Sequence, residues 1–253
     1  MRIVRFIAGR QIRYGIVEDS VVREIDGDVF GKFTVTDRTH SVKRIRFLAP
    51  TDPSKIVGVG LNYRDHAEEL KLEAPEEPII FLKPSSASLP HRGRIIHPKS
   101  CSRVDYEAEL GIVVKRTARA VPIERAHRYI LGYVCVNDVT ARDLQRKDGQ
   151  WTRAKSFDTF APFGPWVETD LDLSDAAIRA LLNGVVRQES NINNLIFEVP
   201  HLIHFVSSVM TLYPGDVITT GTPSGIGPMR PGDTIEIEVE GIGRLSNTVV
   251  AEG

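Results

Sequence analysis

The chain has 253 residues, a length that suits one large domain or one large domain with a small one. Hydrophobic residues make up 42% and charged residues 26%, as in ordinary globular proteins, so the chain can bury a sizeable core. The 32 basic and 33 acidic residues give a formal charge of -1, which argues against a nucleic-acid partner and against an acidic, disordered protein.

The expected cellular location rests on two observations: no targeting or membrane segment is found, and the cysteines are few. The N-terminal stretch MRIVRFIAGRQIRYG has no apolar region of the signal-peptide kind, and no stretch approaches the roughly 18 apolar residues of a membrane helix. Cys101 and Cys135 are too few for a disulfide framework, and their neighbours lack metal-type spacing. We therefore expect reduced cysteines, no membrane partner and a cytoplasmic location.

The first part of the chain predicts a small β-rich module over residues 1–50. Short β-prone runs such as MRIVRFIAG and VVREIDG are separated there by glycine and aspartate. The segment Ala49–Lys55 carries two prolines and is predicted to link this module to a larger domain over residues 51–253.

The larger domain is predicted to be dominated by strands, with a few helices. The run Ile56–Gly60 predicts a short buried strand, and NYRDHAEELKLE behind it predicts a helix or helical turn. Strands are also predicted for VDYEAELGIVVKR and YVCVNDVT. The dipeptide Asn183-Gly184 predicts a hairpin, and the apolar spacing over residues 199–210 predicts a helix.

Three acidic residues form a candidate metal site. Glu107 and Glu109 stand two apart in a predicted strand, so both carboxylates would point to the same face. Asp138, at the end of the apolar run LGYVCVND, would line the same pocket. A hard cation such as Mg²⁺, Mn²⁺ or Ca²⁺ would relieve their repulsion and leave positions open for the oxygens of a 2-oxo acid. Two alternatives to a metal site stay open. Glu107 and Glu109 would then lie on an exposed polar strand face, and Asp138 would belong to an Asn-Asp turn.

Three further side chains are candidates for proton transfer and charge stabilisation. On a helix, Glu69 would lie one turn after His66 on the same face, which suits a general base. Lys155 sits among aromatic and apolar residues in QWTRAKSFDTFAPFGPW, where it would hold a substrate carboxylate or an oxyanion. A solvent-facing histidine and a lysine with only its amine in water are the alternatives.

Candidates for substrate contact lie in two segments. Arg142 and Gln145 would follow Asp138 by one and two helical turns if ARDLQ is helical, and would then reach the same pocket or form a surface ladder. The glycine-rich loop Thr219–Gly227 would hold an anion through backbone N–H groups and Thr222, or be a simple turn. It lacks the Gly-Lys-Ser/Thr of a P-loop, so nucleotide binding is not indicated.

Seven segments, in order along roughly residues 55 to 250, resemble the fumarylacetoacetate hydrolase superfamily: GVGLNYRDHAEEL, PIIFLKPSSAS, SRVDYEAELGIVV, GYVCVNDVTARDLQ, GQWTRAKSFDTFAPFGPWV, LNGVVRQESN and PGDVITTGTPSGIG. They are most similar to the branch with 2-hydroxyhepta-2,4-diene-1,7-dioate isomerase-like proteins, acylpyruvate and fumarylpyruvate hydrolases, and oxaloacetate decarboxylases and tautomerases. The resemblance implies an α+β, β-rich fold, with a mixed β-sandwich or β-roll catalytic domain, and a homodimer.

The resemblance also implies roles for individual residues. Matching positions imply Mg²⁺ or Mn²⁺ at Glu107, Glu109 and Asp138, with Ca²⁺ as a substitute in a crystal. They imply His66 with Glu69 as the pair that activates water or moves a proton, on a segment that orders when ligand binds. The remaining implied residues are the active-site Lys155 and the substrate-holding Arg142, Gln145 and Thr222.

The reaction itself stays open between alternatives. The resemblance implies a 2-oxo acid substrate that reacts through an enolate stabilised by the metal, and the His66–Glu69 pair favours hydrolysis of a C–C bond in an acylpyruvate-type substrate. An isomerase, decarboxylase or tautomerase acting on a 2-oxo dicarboxylate at the same site is the alternative. A non-catalytic binding protein is a third reading, against which the complete set of acidic residues argues.

Overall fold

The computed structural model of the protein describes residues 1–253, except for the side chain of Leu70. The α+β, β-rich class predicted from the sequence is confirmed. Among the helices that the structure describes, none is long and apolar enough to span a bilayer.

The N-terminal segment is an antiparallel meander whose own core is small and apolar. Its strands are β1 (Arg2–Ala8), β2 (Gln11–Glu18), β3 (Val21–Gly27), β4 (Phe33–Ser41) and β5 (Arg46–Phe47). The buried side chains of Val4, Phe6, Val22 and Phe47 pack together between these strands. The expected β-rich character of this segment is therefore confirmed.

The remaining elements lie beyond residue 54. The strands are β6 (Lys55–Gly60), β7 (Ile79–Pro84), β8 (Ser88–Leu89), β9 (Arg94–His97), β10 (Val104–Tyr106), β11 (Ala108–Val114), β12 (Ile130–Asn137), β13 (Thr140–Ala141), β14 (Ala161–Glu168), β15 (Ala177–Leu182), β16 (Val185–Asn191), β17 (Val217–Thr219), β18 (Gly227–Met229), β19 (Thr234–Val239) and β20 (Gly243–Ala251). The helices are α1 (Arg64–Leu70), α2 (Arg142–Asp148), α3 (Thr152–Lys155) and α4 (Val199–Val209), with 3₁₀ turns at Ser85–Ala87, Ile123–Tyr129 and Ile192–Asn194.

The strands form a large sheet that runs through both parts of the chain. Its order is β4-β3-β2-β1-β14-β12-β11-β17-β6-β7. Because β1 pairs with β14 through Arg2 and Glu168, the N-terminal meander continues the sheet of the larger part without a break. The proposed division of the chain at residue 50 therefore stays a prediction.

A second sheet, in the order β16-β15-β19-β20-β9, packs across the middle of the large one. The facing strands β11 and β12 bury apolar side chains against β15 and β19, which gives a sandwich core. The central strand β11 reads AELGIVV and is buried along its whole length, as expected of a strand covered on both faces. A small sheet, β13-β10-β18, lies beside the sandwich.

The prediction of one continuous strand over VDYEAELGIVVKR is wrong. The strand breaks at Glu107, so that β10 belongs to the small sheet and β11 to the large one. The backbone N–H of Glu107 donates to Oδ1 of Asn137 (3.0 Å), and its carbonyl accepts from the N–H of Asp138 (2.9 Å). These local partners replace the ladder hydrogen bonds of a strand, which explains the break.

Two other local predictions are confirmed. Asn183 (φ 53°) and Gly184 (φ 77°) connect β15 to β16, with the positive φ values that a two-residue hairpin turn requires. Helix α4 carries Pro200 in its first turn and buries Leu202 and Val206.

Arg142 and Gln145 do not share a helix with Asp138, as the predicted spacing by helical turns required. Helix α2 begins only at Arg142, after the short strand β13, so Asp138 precedes the helix and is not part of its face.

Candidate active site

A cavity of about 380 Å³ opens beside the start of β11 and the end of β12. The side chains predicted for the site line it, with the exception of Glu69: His66, Glu107, Glu109, Asp138, Arg142, Gln145, Lys155 and Thr222. Glu69 is connected to the cavity through its hydrogen bond to His66. The fold therefore gathers residues that are spread over more than half of the sequence.

Three buried carboxylates form what we call the acidic cluster: Glu107, Glu109 and Asp138. One oxygen atom from each lies within 4.8 Å of the others. The register of two strands produces this proximity, because Glu109 of β11 pairs with Val136, two residues before Asp138. All three side chains are almost completely withdrawn from solvent.

Each carboxylate of the acidic cluster is anchored by a different donor. Oε1 of Glu107 accepts from Nη2 of Arg142, and Oδ1 of Asp138 accepts from Nζ of Lys83. Oε2 of Glu109 accepts from the backbone N–H of Gly221 (2.9 Å). Such partners fix the direction of metal-binding oxygens and strengthen a site.

Lys155 joins two members of the acidic cluster. Its Nζ donates to Oε2 of Glu107 (2.7 Å) and to Oδ2 of Asp138, and it also lies 4.9 Å from the centre of the Phe81 ring. Although burial acts to lower the pKa of the Lys155 ammonium, the charges of Asp138 and Glu107 outweigh burial and raise this pKa. Lys155 therefore remains a cation at neutral pH.

Lys83 is a second buried lysine of the site, and it was not predicted from the sequence. Its Nζ donates to Asp138 and to the carbonyl of Val139 (3.1 Å), and the residue is 1% exposed. Burial lowers the pKa of the Lys83 ammonium. The signal that pointed to Lys155, a lysine within an apolar and aromatic run, was also present for Lys83 in EEPIIFLKP.

The two glutamates of the acidic cluster have opposite electrostatic environments. Burial, followed by the charges of Asp138 and Glu107, raises the pKa of Glu109 well above its usual range. Burial acts on Glu107 in the same direction, but Lys155 and Arg142 outweigh it and lower the pKa of that carboxyl. A cation beside Glu109 would remove its penalty. With their hard carboxylate oxygens, these residues fit Mg²⁺ or Mn²⁺.

His66 and Glu69 form a hydrogen-bonded pair on α1. Nδ1 of His66 lies 2.9 Å from Oε2 of Glu69, and His66 is buried at the cavity wall. Because a carboxylate only accepts, Nδ1 is the nitrogen that donates to Glu69, so Nε2 is the nitrogen that can act as a base in the neutral imidazole. The N-terminal end of α1 is held by Asn62, whose side chain donates to the carbonyl of Thr220 (2.8 Å) and accepts from the N–H of Phe197 (2.7 Å).

The backbone N–H groups of the glycine-rich loop donate hydrogen bonds to carboxylates of the protein itself. Besides the Gly221 contact to Glu109, the N–H of Gly225 donates to Oε1 of Glu69 (3.2 Å). Thr222 lines the cavity between these glycines, and its hydroxyl oxygen accepts from Nε2 of Gln188 (2.8 Å). The loop thus connects the acidic cluster with the histidine pair.

The outer wall of the cavity is apolar and aromatic. Phe81 and Trp151 meet edge to face with their ring centres 5.4 Å apart, and Leu61, Leu72 and Ile79 complete this wall. A Cβ at position 60 would lie 2.6 Å from the Trp151 ring. The close packing of this ring on Gly60 therefore requires glycine.

By its fold and its cavity, the protein belongs to a class in which a β-rich sandwich contains a buried carboxylate cluster. The family model described as fumarylacetoacetate (FAA) hydrolase C-terminal matches residues 55–250, and the model described as Rv2993c-like, N-terminal matches residues 1–50. The chain belongs to the fumarylacetoacetate hydrolase family.

Relatives by sequence include proteins with and without a described activity. An uncharacterized protein of Archaeoglobus fulgidus is 54% identical, over 97% of this chain and 95% of its own. The mitochondrial oxaloacetate decarboxylase of Dictyostelium discoideum is 43% identical, over 74% of this chain and 89% of its own.

Solved structures show the same fold over the whole chain. The 5-carboxymethyl-2-hydroxymuconate delta-isomerase of Mycobacterium smegmatis is 46% identical with a TM-score of 0.94, covering 100% of both chains. The maleylpyruvate hydrolase of Sphingobium sp. SYK-6, in complex with manganese(II) ion and pyruvate, is 27% identical with a TM-score of 0.83, also covering 100% of both chains. The named relatives of this chain thus include an isomerase, a decarboxylase and a hydrolase.

Proposed function

We propose that the protein is a divalent-metal-dependent enzyme that hydrolyses a C–C bond in a small acylpyruvate-type 2-oxo acid. The observation that carries this proposal is the His66–Glu69 pair on the wall of the cavity that contains the acidic cluster. A hydrolase needs a base that takes a proton from water, and a histidine oriented by a carboxylate is suited to that task.

The acidic cluster is the proposed metal site. Glu107, Glu109 and Asp138 would hold Mg²⁺ or Mn²⁺, with each carboxylate kept in place by its own anchor. The bound metal would supply Lewis-acid polarisation of the substrate's 2-oxo group. The manganese and pyruvate in the Sphingobium maleylpyruvate hydrolase support both the metal and the substrate class.

The other cavity residues have proposed roles in holding the substrate. Lys155 keeps a positive charge beside the carboxylates and would stabilise an oxyanion. Arg142, Gln145 and Thr222 would contact substrate oxygens. Arg142 already donates to Asp105 (2.9 Å), to Gln145 (2.6 Å) and to Glu107, so it would contribute a fixed cation and not a mobile arm.

The proposed reaction is hydrolysis with His66 as the base. Nε2 of His66 takes a proton from water, and the water oxygen bonds to the carbonyl carbon remote from the 2-oxo group. The bond from that carbon to the adjoining methylene carbon then breaks. Its electron pair passes to the pyruvate fragment as an enolate, which takes up the proton that His66 accepted from water, so the products are a carboxylic acid and pyruvate and the base is restored.

An isomerase or decarboxylase at the same site is the second candidate. The observation in its favour is sequence identity. The isomerase of M. smegmatis (46%) and the decarboxylase of D. discoideum (43%) share more identity with this chain than the Sphingobium hydrolase does (27%). In that case His66 would move a proton between substrate carbons, or cover the cavity. A homodimer is also proposed, on the resemblance alone.

A product assay separates the candidates. Protein loaded with Mg²⁺ or Mn²⁺ is incubated with acetylpyruvate, fumarylpyruvate and oxaloacetate, with EDTA-treated protein as control. Pyruvate with the matching acid, lost with EDTA, supports the hydrolase. Release of CO₂ or enol–keto conversion of oxaloacetate, without acylpyruvate hydrolysis, contradicts hydrolysis and supports the second candidate.

A further inference from the structure

A buried glutamine outside the cavity donates a hydrogen bond to one of the groups that line it. We propose that Gln188 fixes the direction of the Thr222 hydroxyl, so that this hydroxyl donates its proton to an anionic oxygen of the substrate. The proposal rests on the proposed function, because it takes a 2-oxo acid as the ligand of the cavity. Gln188 is a positioning residue in this account, since it acts through Thr222.

The side chain of Gln188 is fully engaged at both ends. It projects from β16 and is 1% exposed. Its Oε1 accepts from the backbone N–H of Ala108 (2.9 Å). Its Nε2 donates to Oγ1 of Thr222 (2.8 Å) and to the carbonyl of Pro223 (2.8 Å). One amide therefore connects the backbone between the two glutamates of the acidic cluster with the glycine-rich loop.

The orientation of this amide follows from its partners. A backbone N–H only donates, so the group facing Ala108 must be the amide oxygen. A backbone carbonyl only accepts, so the group facing Pro223 must be the NH₂. Rotating the amide by 180° would set donor against donor and acceptor against acceptor in a buried place, which is costly. The amide nitrogen therefore faces Thr222.

This orientation decides what the Thr222 hydroxyl can do. A hydroxyl has one proton to donate and lone pairs that accept. The Gln188 amide uses a lone pair of Oγ1, so the proton of Thr222 points to a different partner. Thr222 lines the cavity, and a hydrogen bond from its hydroxyl to an anionic oxygen there would be charge-assisted and strong. Gln188 thus makes Thr222 a donor toward the substrate.

Oxalate binding tests the first half of this proposal. Oxalate copies the carboxylate and enolate oxygens of a 2-oxo acid, and its affinity for Mn²⁺-saturated protein is measured by calorimetry. We expect Thr222→Val, which keeps the shape but removes the proton, to weaken oxalate about ten-fold or more. Thr222→Ser keeps the donor and is expected to stay within about three-fold of the unchanged protein. Equal affinities for the valine and serine variants would overturn the proposal.

A double-mutant cycle tests the second half. Gln188→Met removes the amide and is expected to weaken oxalate about five-fold or more when Thr222 is present, and to have no further effect in a Thr222→Val background. Gln188→Glu, which keeps an acceptor for Ala108, is the second variant should the methionine protein not fold; its added charge weakens oxalate in both backgrounds, and the loss is expected to be about five-fold larger when Thr222 is present. A loss of equal size in both backgrounds overturns the positioning role.

The same titrations separate this proposal from the proposed function. Unchanged protein that binds oxalate, but shows equal losses in both backgrounds, overturns the role of Gln188 alone. Unchanged protein that takes up Mn²⁺ and binds no oxalate overturns the role of Gln188 together with the 2-oxo acid assignment.

Discussion

At the scale of single residues, the acidic cluster combines high local charge with low exposure. Three carboxylates lie together in the interior, and two lysines and an arginine supply the opposing charge. Charges withdrawn from water in this way are stabilising only when each has its partners, so removing one leaves the others uncompensated. We therefore expect substitutions in this cluster to act on cation binding and on stability together.

The acidic cluster gives the first prediction. Asp138→Ala and Glu109→Ala are each expected to abolish Mn²⁺ binding and activity, because each removes a carboxylate from the proposed site. Calorimetric titration with Mn²⁺ measures the binding. Glu24→Ala, which removes a buried carboxylate of the N-terminal meander, is the matched control and should keep its Mn²⁺ affinity. Unchanged affinity in both cluster variants would refute the assignment.

The histidine pair gives the second prediction. His66→Ala is expected to keep Mn²⁺ binding while hydrolysis falls about 10²- to 10⁴-fold, the usual contribution of a positioned general base. The rate is measured by the appearance of pyruvate from acetylpyruvate under saturating Mn²⁺. A full hydrolytic rate in this variant would rule out water activation by His66.

At the scale of elements, the pairing of β11 with β12 sets the geometry of the acidic cluster. Ala108 pairs with Asn137 and Leu110 pairs with Cys135. This register places Glu109, which lies between them, at the cavity. The buried run of β11, the hairpin at Asn183 and the apolar face of α4 could all be predicted from the sequence, because periodicity and turn chemistry are local properties.

Features that depend on distant partners could not be predicted in that way. The break at Glu107 depends on Asn137, 30 residues away, and the contact of Lys83 depends on Asp138, 55 residues away. A local pattern carries no information about such contacts. For the same reason Glu107 and Glu109 were expected on one continuous strand, whereas Glu107 lies at the break between β10 and β11 and only Glu109 lies within a strand.

A glycine of β12 gives a prediction about the packing within the large sheet. A Cβ at Gly132 would lie 2.4 Å from the backbone oxygen of Glu168 and 2.7 Å from Cγ1 of Val167. Because a backbone oxygen in a sheet cannot move away easily, Gly132→Ala is expected to lower the free energy of unfolding by about 1–3 kcal/mol. Urea unfolding measures it, with Gly253→Ala, where the added methyl meets open space, as control. Equal midpoints for the two variants would contradict this packing.

At the scale of the whole molecule, the N-terminal meander and the larger part share one sheet, while the cavity lies entirely within the larger part. Long-range contacts such as Lys55–Asp216 and His91–Ser246 hold distant segments of that part together. Stability and chemistry can therefore be measured separately, since groups remote from the cavity report on folding alone.

His91 gives a prediction about pH and stability. Burial, followed by the nearby Arg92, lowers the pKa of His91 to about 4, and Nδ1 accepts from the N–H of Ser246 (3.1 Å). The unfolded chain, where the histidine pKa is about 6.5, therefore binds this proton more readily than the folded protein. The contribution of His91 is complete above pH 6.5 and is lost progressively as the pH falls toward 4.

The variant His91→Asn isolates this effect, because asparagine keeps an acceptor for Ser246 but does not titrate. Between pH 7 and pH 5, the unchanged protein is expected to lose about 1 kcal/mol more unfolding free energy than the variant, after allowance for the partial exposure of His91. Urea unfolding at both pH values provides the comparison. Parallel losses in the two proteins would show that His91 titrates normally in the folded state.

The proposed function requires that the acidic cluster holds a divalent cation to which a 2-oxo acid has direct access. The most direct test is the water-proton relaxation of Mn²⁺-loaded protein during titration with pyruvate. We expect Mn²⁺ to bind and to enhance the relaxation, and pyruvate then to lower the enhancement by displacing water from the ion. Protein that binds no Mn²⁺, or whose enhancement is unchanged at saturating pyruvate, would contradict it.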